Sequence, residues 1–225
     1  MKKQSTKKIT KRVLTQAEAD QTKALRRVVV CRDHDPTSPR EWDNVFTIHS
    51  GSRYLASDEG AMNPVVDYGN SPKEAQFTDG VFALPIYAYV HSGMALSLTP
   101  FNDPWDSGCA GFMYVNKAAF CKEFGLKRFS KKRAIEIAKG EIATLQQYID
   151  GDVYGWEEQT RATVDDEWET VNNCWGYYGS VGDMLAETSA TEKGVVVCTE
   201  DPYGYDEYEV TMEVAVPSKG DTKAA

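Results

Sequence analysis

Long apolar runs, paired cysteines and, over one stretch, basic residues are what this chain lacks. No apolar run approaches the roughly 18 residues of a spanning helix, which excludes a membrane span. The five cysteines, Cys31, Cys109, Cys121, Cys174 and Cys198, are odd in number and widely spread. None forms a C-x-x-C pair of the structural zinc type, so they read as reduced, mostly buried thiols. The basic N-terminus has no apolar segment behind it and does not read as a secretory signal, so the cytoplasm is the expected compartment. No G-x-S-x-G elbow, P-loop, H-E-x-x-H or Rossmann glycine pattern occurs. Basic residues nearly vanish between Asp150 and Glu213, where seventeen Asp and Glu stand against Arg161 and Lys193. A surface of that kind repels nucleic acid, membranes and acidic substrates, and it attracts basic protein surfaces.

What is present belongs to a folded protein. The apolar fraction is 41% and the aromatic fraction 11%, outside the disordered range. A length of 225 residues suffices for one substantial domain or two small ones. Residues 1–27 hold nine Lys and Arg against Glu18 and Asp20, so the net charge of −9 joins a basic segment to a far more acidic body. Residues 1–26 read as a flexible arm, either a solubilising tail or a contact for nucleic acid or an acidic partner. A short helix is placed at Gln16–Arg26. Residues 27–216 read as a single globular domain, and 217–225 as a disordered tail.

Periodicity supplies the elements. Arg27–Arg32 (RVVVCR) reads as a buried strand, and Val45–His49 as a second. Gly51–Gly80 has little periodicity and reads as a long loop, a length that is often functional. Ala83–Val90 and Met94–Leu98 read as strands joined by a tight turn at His91-Ser92-Gly93, and Ala110–Val115 as another strand. Asn116 is placed to cap a helix through Phe124. Ser130 is placed to cap a longer helix with a stripe of Ile135, Ala138, Ile142, Leu145 and Ile149. Strands follow at Val153–Thr163 and Trp168–Tyr178, a short helix at Gly182–Glu187, and strands at Val195–Cys198 and Tyr208–Val216. The sum is an α+β fold, mostly antiparallel, with two or three helices packed on one side.

Two clusters rich in Trp, Asp and Pro stand out: residues 35–44, DPTSPREWDN, and residues 97–108, SLTPFNDPWDSG. As an enzyme the chain would draw on His34 or His91 as base, on Asp33, Asp35, Asp103 and Asp106 as carboxylates and on Ser92 or Ser107 as a hydroxyl, the sharpest set being His91, Asp103, Asp106, Arg40 and Glu41 in one pocket. A histidine in a turn is also a common structural hydrogen-bonder. Asp33-His34-Asp35 could hold a divalent metal with Glu41 or Asp43, but such clusters ordinarily cap turns. Asp150-Gly-Asp152 and Asp201–Glu209 do not match EF-hand spacing. No metal and no cofactor are expected.

The motifs DPTSPREWDN, LPIYAYVHSG, LSLTPFNDPWDSGCAGFMYV, YIDGDVYGW and NCWGYYG resemble those of an uncharacterised protein family carried by bacteriophages and mobile elements. The resemblance covers roughly residues 31–179 and implies no established activity. Typical members carry an Asp where this chain has Val90 and a Gln where it has Cys109. A catalytic Asp–His pair in that family would therefore be incomplete here.

The reading that follows is an accessory protein that acts by binding rather than chemistry. Its acidic face would engage a basic protein surface, such as that of a host nucleic-acid enzyme, as a DNA mimic or an anti-defence inhibitor. The residues expected to carry binding are Glu157, Glu158, Asp165, Asp166, Glu167, Glu169, Asp206, Glu207 and Glu209, with Trp156, Trp168 and Tyr205 as anchors. The alternative is a small-molecule binder or hydrolase with a pocket built from residues 33–44 and 91–108. Nucleic acid is expected as a partner only through residues 1–27.

Overall fold

The basic segment at the N-terminus is a strand rather than a free arm. In the computed structural model, whose described residues are 6–199 and 209–215, β1 (Thr6–Thr15) leads into the one-turn helix α1 (Gln16–Asp20). Alternation explains the strand: Ile9 and Val13 turn to a core while Lys8 and Arg12 stay in water. Lys11, on the inward-facing side, spends its ammonium on the carbonyls of Glu192 (3.0 Å) and Val195 (2.7 Å). Thr15 and Glu18 close α1 with a capping box. The helix ends earlier than the expected Arg26, because the amide and hydroxyl of Thr22 both bond to Ala19 O.

Beyond it, β2 (Arg26–Arg32) buries every side chain from Arg27 to Cys31. The chain then leaves this sheet for residues 37–150 and re-enters at β9. That excursion has its own core, so the chain divides into two compact units: residues up to Pro36 with those from Gly151 on, and Thr37–Asp150. A single domain over 27–216 was expected. The division follows from β2 and β9 being hydrogen-bonded neighbours, which lets everything between them fold as a separate body.

In the second unit the strands are β3 (Thr47–Ser50), β4 (Val65–Asp67), β5 (Gln76–Phe77), β6 (Val81–Val90), β7 (Met94–Ser97) and β8 (Ser107–Asn116). They are followed by α2 (Lys117–Glu123) and α3 (Lys131–Asp150). The main sheet is antiparallel in the order β3-β8-β6-β7, and β4 and β5 form a separate hairpin within the expected long loop. Asn116 caps α2 through the amides of Ala118 and Ala119. One face of α3 lays Ala134, Ala138, Ile142 and Leu145 onto Ile48, Ile86 and Met113. The buried stripe thus begins at Ala134 instead of Ile135. Arg133, one of three cations at the start of α3, lies 4.4 Å over the Phe124 ring, an attraction between guanidinium and ring face.

The first unit continues with β9 (Val153–Thr160), β10 (Glu169–Tyr178), α4 (Val181–Ala186), β11 (Val195–Thr199) and β12 (Glu209–Ala215). Its sheet runs β10-β9-β2-β11-β1-β12. Strands β2, β11 and β1 are mutually parallel, and the other pairs are antiparallel. Continuous β-branched runs suit parallel strands because both faces are covered. Val28 and Val30 pack with Met184 and Leu185 of α4, while Val29 and Cys31 pack with Ala19 of α1 and Cys198. The α+β class is as expected, but helices cover both faces of this sheet rather than one. Residues 217–225, expected as a tail, lie outside the described residues. No helix among the described residues is long and apolar enough to cross a membrane.

Deleting residues 1–14 separates a strand from an arm. Loss of β1 removes the shared neighbour of β11 and β12 together with the buried Val13, and thermal unfolding followed by circular dichroism is expected to drop by about 10 °C or more. An unchanged melting temperature contradicts the strand.

Candidate functional site

Strand alternation decides where the acids go. Glu157 and Glu158 are neighbours in β9, so they point to opposite faces of the sheet. Glu157 accepts from Gln159 Nε2 (2.7 Å) and Thr170 Oγ1 (3.0 Å). Glu158 accepts from the Ser189 amide (2.6 Å). Glu209 lies on β12, at the opposite edge of the sheet from β10, five strand spacings or roughly 24 Å away. Tyr205, Asp206 and Glu207 lie outside the described residues. The acids expected to carry binding therefore do not form one row.

A few of the acids are answered within the chain. Lys8 meets Glu213 at 3.2 Å, Arg26 meets Glu192 at 2.5 Å, and Arg12 meets Glu18 at 2.9 Å. Two of the basic N-terminal residues, Lys8 and Arg26, thus meet acids of the acidic region. Each exposed pair contributes little alone.

The densest run of exposed acids is the connection between β9 and β10. Asp165, Asp166, Glu167 and Glu169 are all exposed, and none forms an ion pair among the described residues. Asp166 organises the turn by accepting from the Thr163 amide (2.7 Å) and hydroxyl (2.8 Å). Trp168, between them in sequence, turns inward. Its indole N–H donates to Asp20 Oδ1 (2.9 Å), and the guanidinium carbons of Arg27 and Arg161 stand 4.4 and 4.3 Å from its ring centroid. Arg27 also donates to Asp20 (2.9 Å) and Gln159 (2.8 Å). Arg161 donates to the carbonyls of Ala24, Val164 and Thr22 at 2.8–2.9 Å.

Trp168 is therefore a structural post and not the expected anchor. Trp156 packs on the core of the unit, which likewise removes it as an anchor. The exposed aromatic here is Trp175, which sequence reasoning did not select. It covers Gly155, where a Cβ would come within 2.4 Å of the indole. Strand β10 is the edge of the sheet, exposed from Glu169 to Gly176 and interrupted by two register shifts.

The pocket residues belong to the second unit and do not converge. Arg40 is occupied: it makes a bidentate pair with Asp58 (3.0 and 2.6 Å), reaches Glu141 (3.2 Å) and donates to Phe46 O (2.7 Å). Asp58 also accepts from the Ile48 amide, and Glu141 from the amides of Val45 and Phe46. Burial pushes Glu141 above the ordinary carboxylate value of 4.5, against the pull of those amides and of Arg40. Burial also opposes the charge of Arg40, yet the hydrogen bond and charge of Asp58, with Glu141, leave it above its ordinary value. This network fixes the DPTSPREWDN segment and β3 to α3. Asp58 and Glu141 lie 18 and 101 residues from Arg40 in sequence, and no local signal ties them to it.

Arg40 and Glu41 border a cleft of about 700 Å³, which Trp42, Tyr54 and Tyr148 also line. His91, Asp103 and Asp106 are not part of it. Asp103 accepts from the amides of Asp106 (2.9 Å) and Trp105 (2.8 Å), which hold its carboxyl below the ordinary carboxylate range. His91 Nδ1 is 3.8 Å from Asp106 Oδ2, with the two side chains 70% and 43% exposed. That separation is beyond a hydrogen bond. Trp105, held out by the Asp103 turn, is 90% exposed. Asp33, considered with His34 and Asp35, accepts from the amides of Asp35 and Gly176 and so joins β2 to β10. No protein-family model, curated protein or solved structure matches the chain.

Arg40→Met leaves two buried carboxylates facing each other, and at about pH 7 the expected loss is about 3–5 kcal/mol. A carboxyl whose folded pKa lies above its unfolded value binds its proton more tightly when folded, so this loss shrinks as the pH falls towards the ordinary value of 4.5. Urea unfolding near pH 7 and near pH 5 measures both. A small loss at pH 7, or no recovery at pH 5, contradicts the network.

Proposed function

We propose that this chain is an accessory protein of the phage or mobile-element type that acts by binding in the host cytoplasm. It offers the segment Asp165–Glu169 and the adjoining flank of β10 to a basic protein surface. One observation carries this reading. Four carboxylates within five positions are exposed and unpaired among the described residues, beside an edge strand that is open along most of its length. Edge strands accept added chains through their free backbone groups, and the carboxylates select a basic one by charge. The partner is a protein that binds nucleic acid with a basic surface, which the acids approach as phosphates do. A short contact fits better than a long DNA-like row, because Glu157, Glu158 and Glu209 are directed elsewhere. The pocket alternative loses ground because Arg40, Asp103 and His91 serve separate local structures.

Asp166 is left intact in the test because it holds the turn. The triple variant Asp165→Lys, Glu167→Lys, Glu169→Lys is compared with the unaltered chain in affinity capture from host lysate, at low and high salt and after nuclease treatment. A nucleic-acid-independent partner is expected at low salt, lost at high salt, and weakened at least about tenfold by the triple variant. Glu209→Lys, at the far edge, is expected to leave capture unchanged. Capture that survives the triple reversal, or that nuclease abolishes, overturns the proposal.

A further inference from the structure

The cations of this chain fall into two groups. Lys8, Arg12, Arg26, Arg27 and Arg40 are each paired with a carboxylate. Between residues 117 and 139, by contrast, eight Lys and Arg stand against Glu123 and Glu136, in a chain whose net charge is −9. All eight are exposed, and none has an ion pair or a side-chain hydrogen bond among the described residues.

Packing gathers six of them around the connection between α2 and α3: Lys122, Lys127, Arg128, Lys131, Lys132 and Arg133. Gly125, at φ +61°, ends α2 in the left-handed conformation. The amides of Gly125 and Leu126 return to Lys122 O (3.3 Å) and Cys121 O (2.8 Å), a Schellman cap. Phe129 then packs on Phe82 and Phe120 at 5.1 and 5.2 Å between centroids. Ser130 Oγ accepts from the Arg133 amide (3.3 Å) where α3 begins, and the Arg133 guanidinium lies over Phe124. The connection is thus fixed by its rings and its cap, with the cations left in water. Charge opposes this arrangement. Six like charges within twelve positions repel, and the positive end of the α3 dipole adds to the repulsion. Apart from the ring contact of Arg133, the charged ends of the six are used for no contact in the described fold.

Two further observations select the partner. None of the large apolar side chains exposed in this protein lies between 117 and 139. A protein partner would find no anchor there of the kind that carries protein interfaces, in which lysine is depleted. A phosphate backbone needs none, because its affinity comes from cations that displace condensed counterions. The same lack of exposed rings removes the stacking platforms that single strands use. The segment also has no Asn or Gln to read adenine.

We propose that the α2–α3 connection binds the phosphate backbone of double-stranded nucleic acid without reading its sequence. Screening confines each charge to a reach of about 8 Å at physiological salt, so the connection acts through its own cations and not through the net charge. Nucleic-acid contact then belongs to the second unit. The basic residues of the first 27, where it was expected, are built into β1, β2 and their ion pairs. The acidic segment lies in the other unit, and neither proposal stands or falls with the other.

The test uses the purified full chain and a fluorescein-labelled DNA duplex of about 24 base pairs, with anisotropy followed from about 25 to 200 mM NaCl. About six phosphate contacts give an expected slope of about −5 in log K against log salt. The quadruple variant Lys122→Gln, Lys127→Gln, Lys131→Gln, Lys132→Gln leaves Arg133 on its ring. It is expected to bind at least about thirtyfold more weakly at about 50 mM NaCl and to flatten the slope by about 3–4. Lys7→Gln with Lys8→Gln, in β1, is expected to leave binding unchanged. A scrambled DNA duplex and a duplex RNA are expected to bind within about threefold of the first, and oligothymidine of equal length more weakly. The proposal is overturned if no binding is seen at about 25 mM NaCl, if the quadruple variant binds as the unaltered chain does, or if the single strand binds more tightly. A slope shallower than about −2 for the unaltered chain overturns it too, so the outcome does not rest on how the variant folds.

Discussion

Arg27, 7% exposed at the start of the central strand β2, holds three groups at once: Asp20 at the end of α1, Gln159 in β9, and the ring of Trp168 beyond β9. Arg161 meets the same ring and ties down the carbonyls of Thr22, Ala24 and Val164. A guanidinium over an indole is worth about 0.5–1 kcal/mol when exposed and about 2 when desolvated. The two contacts join hydrogen bonds that would otherwise leave buried donors unmet. Remove this arrangement and the segment 161–169 has nothing to fix its path. Because Trp168 turns towards Arg27 and Arg161, the carboxylates on either side of it turn outward, so the exposed acids depend on the half-buried ring.

The same logic describes the wider charge pattern. Cations from the first 27 residues lie against acids from the last third of the chain, as Lys8 with Glu213 and Arg26 with Glu192 show. The chain brings its two charged ends into one sheet through the pairing of β1 with β12 and β11. The densest run of exposed acids, Asp165–Glu169, lies at one end of one hairpin. The second unit uses charge differently, burying Arg40 between two carboxylates to lock an irregular segment onto α3.

Most elements were legible in the sequence because their signals are local. The Asn116 cap, the spacing along α3 and the β-branched run of β2 each name their element without reference to distant residues. The arm was misread because Lys and Arg dominate its composition and hide the alternation of Ile9, Lys11 and Val13. The division into two units was hidden because it depends on β2 pairing with β9 across more than a hundred residues. Site residues were less legible for the same reason. Arg40 was selected for its motif, but its partners Asp58 and Glu141 are distant, and charge counting could not distinguish a Trp168 stacked by two arginines from a free anchor.

The most direct test of the proposal that a basic partner meets the Asp165–Glu169 flank is a backbone amide map. Uniformly labelled protein is titrated at low salt with an octalysine peptide, and the shift changes are assigned along the chain. The expected result is a response concentrated between Thr163 and Gly176, with little at Glu158 or along β12. A response centred on Glu209–Glu213, or spread evenly over the acidic residues, contradicts it.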